Sequence, residues 1–449
     1  MGKTISGFSK LSKEEKIDWL VETFFDDASE VREELASFWY ENREFQKVFD
    51  GFSENTLSNY FMPYGVAPNF LINGKTYCVP MVIEESSVVA AASSAAKFWH
   101  DRGGFHAEVL GTRKIGQVHF YWPGEPEKLK AVFSDLQITL LEGVESLTLN
   151  MRQRGGGIAE IRLLDMTHLD ENYYQLFVSF ETCDSMGANF INSVLEEFAR
   201  ILEEFVSCHP GFSKQEKEVT ILMSILSNYT PECLVRAWVE CPVEELGCFQ
   251  GGMEAEEFAW RFQKAVKVAQ IDPHRATTHN KGIFNGVDAV VLATGNDFRA
   301  VESCGHTYAA RDGQYRSLSG CTIENGCFRF WVDLPLALGT VGGLTKLHPL
   351  ARRSLELLGN PGAPELMEVI AATGLAQNFA AVRSLITTGI QQGHMKMHLL
   401  NILNHLCAND QEKRAANKYF EERVVSFNGV REFLQTHRQK KKAPKKKTA

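Results

Sequence analysis

No stretch constrains this chain more than His274 to Asp297, HRATTHNKGIFNGVDAVVLATGND. It is dense in groups that do chemistry: His274, Arg275, Thr277, Thr278, His279, Asn280, Lys281, Asn285 and Asp297. Between them the apolar run Val287 to Ala293 predicts a short buried strand. Lys281, followed by Gly282, then falls in a loop that can point its ammonium into a pocket. The strand would end in Thr-Gly-Asn-Asp and set Asp297 at its carboxyl end, where α/β proteins build their sites. A lysine and a carboxylate brought together in this way can stabilise an oxyanion and relay protons. The competing reading is an ordinary loop, strand and loop with solvated polar residues.

The remaining bounds narrow the class. A chain of 449 residues, 44% hydrophobic and 23% charged, suits a globular protein of two or three domains. Its net charge is −9, yet the tail from Arg438 onward is strongly basic and holds no acid. An acidic body argues against nucleic acid as the main partner, and the lysine tail reads as a solvated, disordered end. No apolar run approaches the ~18 residues that span a membrane, and the N-terminus lacks the apolar core of a secretion signal. Gly2 and Ser6 match the loose myristoylation pattern, which chance explains better. The ten cysteines are scattered without CxxC pairs, as expected of reduced thiols in a cytoplasmic protein, with no metal site.

Taken in order, residues 9–50 are helical in pattern, with Ser12 and Glu15 spaced as a capping box. Asn73-Gly74 predicts a hairpin turn, and its second strand, Thr76 to Ile83, delivers Glu84 and Glu85. Ser86 and Ser87 then cap a small-residue helix, VVAAASSAAKFW. A carboxylate placed there is poorly solvated, which raises its pKa, while the helix dipole lowers it; the sequence leaves the balance open. From about 113 to 226 the pattern reads βαβ-like with its own core, and a triple glycine, Gly155 to Gly157, lies between two strands. Asp184 to Asn189, DSMGAN, feeds a helix whose apolar face runs from Phe190 to Phe205. Small residues there let backbone N–H groups approach a phosphate, although the GxGxxG fingerprint is missing and a Rossmann domain is excluded. SLSGCTIENGCFRFWVDLPLAL predicts a second hairpin, followed by the glycine loop GTVGGLT and a helix near 348–358. Residues 375–387 predict a further helix, broken by Gly389 and Gly393, with His394 at the mouth of the next.

Five separated segments together resemble the class II, soluble bacterial-type 3-hydroxy-3-methylglutaryl-CoA (HMG-CoA) reductases. They are PYGVAPNFLING with VPMVIEESSVVAAAS; GGG with DSMGAN; HRATTHNKGIFNGVD; ATGNDFRAVE; and LAQNFAAVRSLITTGIQQGHM. The resemblance implies an α+β fold: a large mixed substrate domain (1–110 and 227–386), an inserted small, non-Rossmann dinucleotide-binding domain (111–226) and a mobile helical C-terminal flap (387–449). It implies catalytic Glu85, Lys281, Asp297 and His394, with Ser87, Arg275 and Asn285 contacting the hydroxymethylglutaryl group. It also implies that Asp184, Met186, Gly187 and Asn189 bind the dinucleotide, and that the enzyme is a homodimer or higher oligomer with an interfacial site. Two departures stand out. The family's ENVIG is here ENTLS at 54–58, and its Glu-Glu-Pro is Glu84-Glu85-Ser86.

The chemistry implied is a four-electron reduction of HMG-CoA to mevalonate and CoA by two NAD(P)H, and these residue types suit it. Lys281 would stabilise the oxyanion made by the first hydride transfer. His394 would protonate the departing CoA thiolate, and Glu85 the second alkoxide. Asp297, bonded to Lys281, would tune the network, and Arg275 would pair with the free substrate carboxylate. Arg152 and Arg154 on one side of the triple glycine and Glu160 on the other leave NADPH and NADH both open; a biosynthetic role favours NADPH. The alternatives are the same enzyme run oxidatively on mevalonate, a non-catalytic CoA- or nucleotide-binding interaction protein, and a cysteine-dependent acyl transferase.

Overall fold

The computed structural model describes residues 4–249, 252–387, 399–420 and 423–442. It divides into two compact units, Met1–Tyr64 and Gly65–Ala449.

The first unit is helical: α1 (Lys13–Phe24), α2 (Ala28–Ser37) and α3 (Arg43–Asp50). The capping box that begins α1 is present, with Glu15 N donating to Ser12 Oγ (3.2 Å) and Ser12 N to Glu15 Oε2 (2.7 Å). Lys13 ties α1 to the end of α3 through Asp50 (2.7 Å).

The second unit opens with the expected hairpin, β1 (Tyr64–Ile72) and β2 (Lys75–Val82). Asn73 and Gly74 both take positive φ (47° and 80°), as a two-residue turn with right-handed strand twist requires. Then follow α4 (Ser86–His100), β3 (His106–Val109), β4 (Lys114–Tyr121), α5 (Pro126–Gly143), α6 (Glu145–Gln153), β5 (Gly157–Asp165), β6 (Tyr173–Glu181), α7 (Ala188–Cys208), β7 (Thr220–Ser227) and β8 (Leu234–Pro242). The chain continues through α8 (Ala255–Ile271), α9 (Pro273–Ala293), α10 (Phe298–Ala309), β9 (Ser319–Glu324), β10 (Cys327–Pro335), α11 (Leu344–Leu347), α12 (Pro349–Leu357) and α13 (Ala363–Ile386). Three C-terminal helices, α14 (399–405), α15 (Asp410–Tyr419) and α16 (Phe427–Lys442), share a small core around Leu403 and Val430. The result is a mixed α+β fold with open sheets.

Two sheets organise two cores. In the first, β3-β8-β10-β9, strands pair antiparallel, and Phe328, Phe330, Val332 and Leu334 of β10 turn inward with a period of two. Helices α4, α8, α9 and α13 pack around it. Phe379 of α13 is a hub there, touching Phe98 (5.2 Å), Trp99 (5.2 Å) and Phe262 (5.4 Å). Burying one such ring contributes about 1.5–3 kcal/mol. The second sheet, β5-β6-β4-β7, carries α5 and α7 over its own core.

The structure corrects several expectations. The stretch from 273 to 293 is one helix, not a loop and strand. Asp272 caps it by accepting from His274 N (3.0 Å), and Pro273 fills the first helical position. The apolar run was ambiguous because a buried helix segment and a buried strand share the same local pattern. Glycines decide it: a Cβ on Gly286 would lie 2.8 Å from Thr373 O, and one on Gly374 2.8 Å from Val287 Cγ2. Reciprocal glycines thus let α9 and α13 press backbone to backbone. The βαβ-like pattern of the small domain takes the split form: each adjacent strand pair is antiparallel, and the order is that of a βαββαβ motif. The triple glycine separates helix α6 from β5, not two strands. The helix expected at 375–387 begins at Ala363; it is buried on nearly every side, so no polar face marks its start. It is also the one described helix long and apolar enough to cross a membrane, yet 72% of that window is buried within the protein. Gly389, Gly393 and His394 lie outside the described residues.

Candidate active site

Glu85 follows β2 and occupies the N-cap of α4, a role expected for the serines after it. It makes no side-chain cap bond; Ser87 Oγ turns back and donates to Glu85 Oε1 (3.2 Å). Lys281, midway along α9, donates to Glu85 Oε2 (3.0 Å), joining residues 196 positions apart. The Glu85 carboxylate, expected to be poorly solvated, keeps 35% of its side-chain exposure, and Lys281 keeps 62%. This acid and this cation therefore meet at a surface open to a ligand.

His274, Thr278, Lys281, Asn285, Asp288 and Leu292 share one face of α9, spaced by three and four residues. This stripe runs from exposed at His274 to half-buried at Asn285, Asp288 and Leu292. Burial, then the Glu302 carboxylate on α10, pushes the Asp288 carboxyl up to about 8. Arg275 lies off this stripe. It is half-buried with no hydrogen bond or ion pair among the described residues, and burial depresses its guanidinium. A desolvated guanidinium without a counter-ion is suited to receive a carboxylate.

Beneath Arg275, His279 is buried and pushed down to about 3, first by burial and then by the Arg275 charge. Asn378 Nδ2 donates to His279 O (3.3 Å), which leaves its Oδ1 to accept from Ser319 Oγ (3.0 Å). Ser319 Oγ then accepts from His279 Nε2 (2.6 Å), so the assignment that satisfies all three is a neutral imidazole protonated at Nε2.

Asp297 caps α10. Its Oδ1 accepts from Arg299 N (3.0 Å) and Ala300 N (3.3 Å), and the carboxylate takes a two-pronged bond from the Arg299 guanidinium (3.0 and 3.0 Å). Burial raises its pKa, but these bonds outweigh burial and hold it below the usual aspartate range. The expected bond from Asp297 to Lys281 is not made within the chain. The reason is the helix: Lys281 lies about 18 Å along the axis from the end of α9 at Ala293, and Asp297 lies beyond that end.

Asp297 instead faces a cleft of about 810 Å³, and so do Met186, Gly187 and Asn189 of the DSMGAN loop. The opposite rim is the loop from Gly339 to Thr345, where Gly342 and Gly343 have nothing within 4 Å of the position a Cβ would take. Helix α7 begins at this cleft with Gly187 in the left-handed region (φ 84°) and no side-chain cap, so its first-turn N–H groups lack intrahelical partners. Such a helix end can hold a phosphate, and the open glycine rim leaves room for one. Asp184, expected at the same site, is turned away: its Oδ1 accepts from Ala363 N at the start of α13 (2.7 Å), and its carbonyl accepts from Thr340 N (2.9 Å). It latches the small domain to the large one. Sequence reasoning missed Asn296, whose Oδ1 holds Gly339 N (2.8 Å), and Arg299 and Asp288. The run Asn-Asp-Phe-Arg at the start of α10 carried a signal for Arg299, since an Asp N-cap two residues before an arginine brings the two together.

Comparison with known proteins places the chain. A family model described as hydroxymethylglutaryl-coenzyme A reductase matches residues 13–399. The 3-hydroxy-3-methylglutaryl-coenzyme A reductase of Archaeoglobus fulgidus is 36% identical over 403 residues, covering 90% of this chain and 87% of that protein. The class II reductase of Streptococcus pneumoniae bound to NADPH in open conformations superposes with a TM-score of 0.69 at 34% identity, covering 86% of this chain and all of that one. A second structure of the S. pneumoniae enzyme gives a TM-score of 0.71 at 33% identity, covering 97% of this chain.

Proposed function

This chain belongs to the hydroxymethylglutaryl-coenzyme A reductase family and reduces HMG-CoA with a nicotinamide dinucleotide, and from that premise we propose which residues do the work. The observation that carries the assignment is the Lys281–Glu85 contact at 3.0 Å, with Ser87 on the other carboxylate oxygen. Two dinucleotides, bound in turn, would each supply one hydride per turnover. Lys281 stabilises the oxyanion that forms on the thioester carbonyl, and later the one on the aldehyde. Glu85 holds the proton for the second alkoxide, and its exposure at the mouth of α4 lets that proton be replaced from solvent. Arg275 takes the free carboxylate of the substrate, and Ser87 and Asn285 position the hydroxymethylglutaryl group. His394 protonates the CoA thiolate, which would otherwise re-attack the aldehyde.

Met186, Gly187 and Asn189 hold the dinucleotide at the start of α7; Asp184 supports them from behind. Asp297 lies too far along the chain's own fold to reach Lys281, which supports a dimer in which Asp297 of the partner subunit completes the site. The segments 111–226 and 387–449 act as the nucleotide domain and the C-terminal flap, in a cytoplasmic enzyme.

NADPH is the preferred donor. The Cys183 thiol donates to Arg154 O (3.3 Å), which sets the basic turn Arg152–Arg154 beside the DSMGAN loop. The rival acid, Glu160, is engaged by Arg162 (3.8 Å). An arginine near this turn suits a 2′-phosphate. With HMG-CoA present, the protein should oxidise NADPH in preference to NADH, and Arg154→Gln should raise the KM for NADPH without changing that for NADH. Preference for NADH in the unmodified protein would overturn the cofactor assignment.

A further inference from the structure

Behind the DSMGAN loop lies a cation that nothing so far has used. Lys114 begins β4 and is 4% exposed. It shares the face of β4 that packs on α7, because the missing Cβ of Gly116, two residues on, points at Leu195 and Ile191. Its Nζ donates to Thr182 Oγ1 (2.6 Å) and Ser185 O (3.1 Å), both neutral acceptors. Thr182 Oγ1 in turn donates to Ser185 O (2.6 Å), and a Cβ on Gly187 would lie 2.5 Å from Thr182 Cγ2. Lys114 thus pins the turn that sets the first residues of α7.

No carboxylate neutralises it within ion-pair distance among the described residues. Glu181 is spent on Thr112 Oγ1 and on Cys183 N (3.0 Å), and Asp184 on Ala363 N. Arg113, its neighbour in sequence, is paired with Glu232 (3.9 Å). Burial raises the Cys183 thiol, and Lys114 and Arg154 both oppose that rise, so Lys114's charge is felt within the turn. A buried ammonium at the positive end of a helix dipole is costly on both counts unless an anion shares the site.

We propose that Lys114 is a positioning residue for the dinucleotide, pinning the Thr182–Gly187 turn beneath the α7 N-terminus and supplying the charge that the bound pyrophosphate neutralises. The inference rests on the nucleotide reading of the cleft. It differs from the Arg154 assignment because the pyrophosphate is common to NADPH and NADH, so both cofactors must feel Lys114 equally.

The test is fluorescence titration of the full-length protein with NADPH and with NADH. Lys114→Gln keeps donors for Thr182 Oγ1 and Ser185 O but removes the charge. It should weaken both cofactors by the same factor of about ten, equivalent to about 1.4 kcal/mol. Binding of HMG-CoA without nucleotide should stay as in the unmodified protein, and Lys114→Arg should recover most of the loss. Thr182→Val, which keeps the ammonium, should weaken binding less than Lys114→Gln. Wild-type affinity in Lys114→Gln, an equal loss in Lys114→Arg, or a loss in Thr182→Val as large as in Lys114→Gln would each overturn the inference. If the unmodified protein binds neither nucleotide, it is the reading of the cleft that fails.

Discussion

Lys281→Ala separates the two things its contact with Glu85 could do. As a fold contact the pair is weak: both side chains are solvated, at 62% and 35% exposure, and exposed ion pairs contribute about 0–1 kcal/mol. In a protein of this size such a loss shifts the melting temperature by no more than about 2–4 °C. As a catalytic contact the same ammonium meets an oxyanion in the transition state. Removing one such donor costs about 10²–10³ in rate, or about 2.7–4 kcal/mol. Lys281→Ala should therefore melt almost as the unmodified protein does while losing at least a hundredfold in kcat. The loss should be similar with HMG-CoA and with free mevaldehyde, since both reductions pass through an oxyanion. Differential scanning fluorimetry and NADPH absorbance on both substrates measure the two halves. A variant that retains a tenth of its activity, or that unfolds some 10 °C early, would refute this division of roles.

His394→Gln should spare mevaldehyde reduction far more than HMG-CoA reduction, because only the latter releases a thiolate; equal loss on both substrates would remove it from that step. Gly286→Val would drive its side chain into Thr373 O and Gln377 and force α9 off α13, destabilising the protein by about 1–3 kcal/mol, as a urea melt can read. Asp288 holds its proton in the native state up to about pH 8, against about 4 when unfolded, so the stability it contributes is full below pH 4 and is lost as pH rises toward 8. Asp288→Asn should flatten the decline in melting temperature between pH 5 and 9, and an unchanged slope would show that other groups set it.

What the sequence made legible was local. The Asn73-Gly74 turn, the Ser12–Glu15 box and the apolar face of α7 each depend on residues a few positions apart, and each is present. The identity of α9 depended on Gly286 meeting Thr373 across the fold, so its Val287–Ala293 run could be read as a strand. Strand order in the small sheet was equally non-local: nothing in the βαβ-like pattern placed β6 between β4 and β5. Glu85 and Lys281 each stood out locally, and the resemblance gave them their roles; no spacing rule joins positions 196 apart, yet the fold brings them to 3.0 Å. Asp184 shows the converse: its loop lines the cleft from Ser185 to Asn189, but its own carboxylate serves the N-terminus of α13.

The proposed chemistry at the Lys281–Glu85 site is two hydride transfers to one thioester. The direct measurement is the amount of NAD(P)H oxidised per CoA thiol released by the purified protein with HMG-CoA. Two cofactors per thiol are expected, with mevalonate as product. A ratio of one, with mevaldehyde accumulating, or no oxidation of either cofactor and no reverse reaction from mevalonate and CoA, would contradict it.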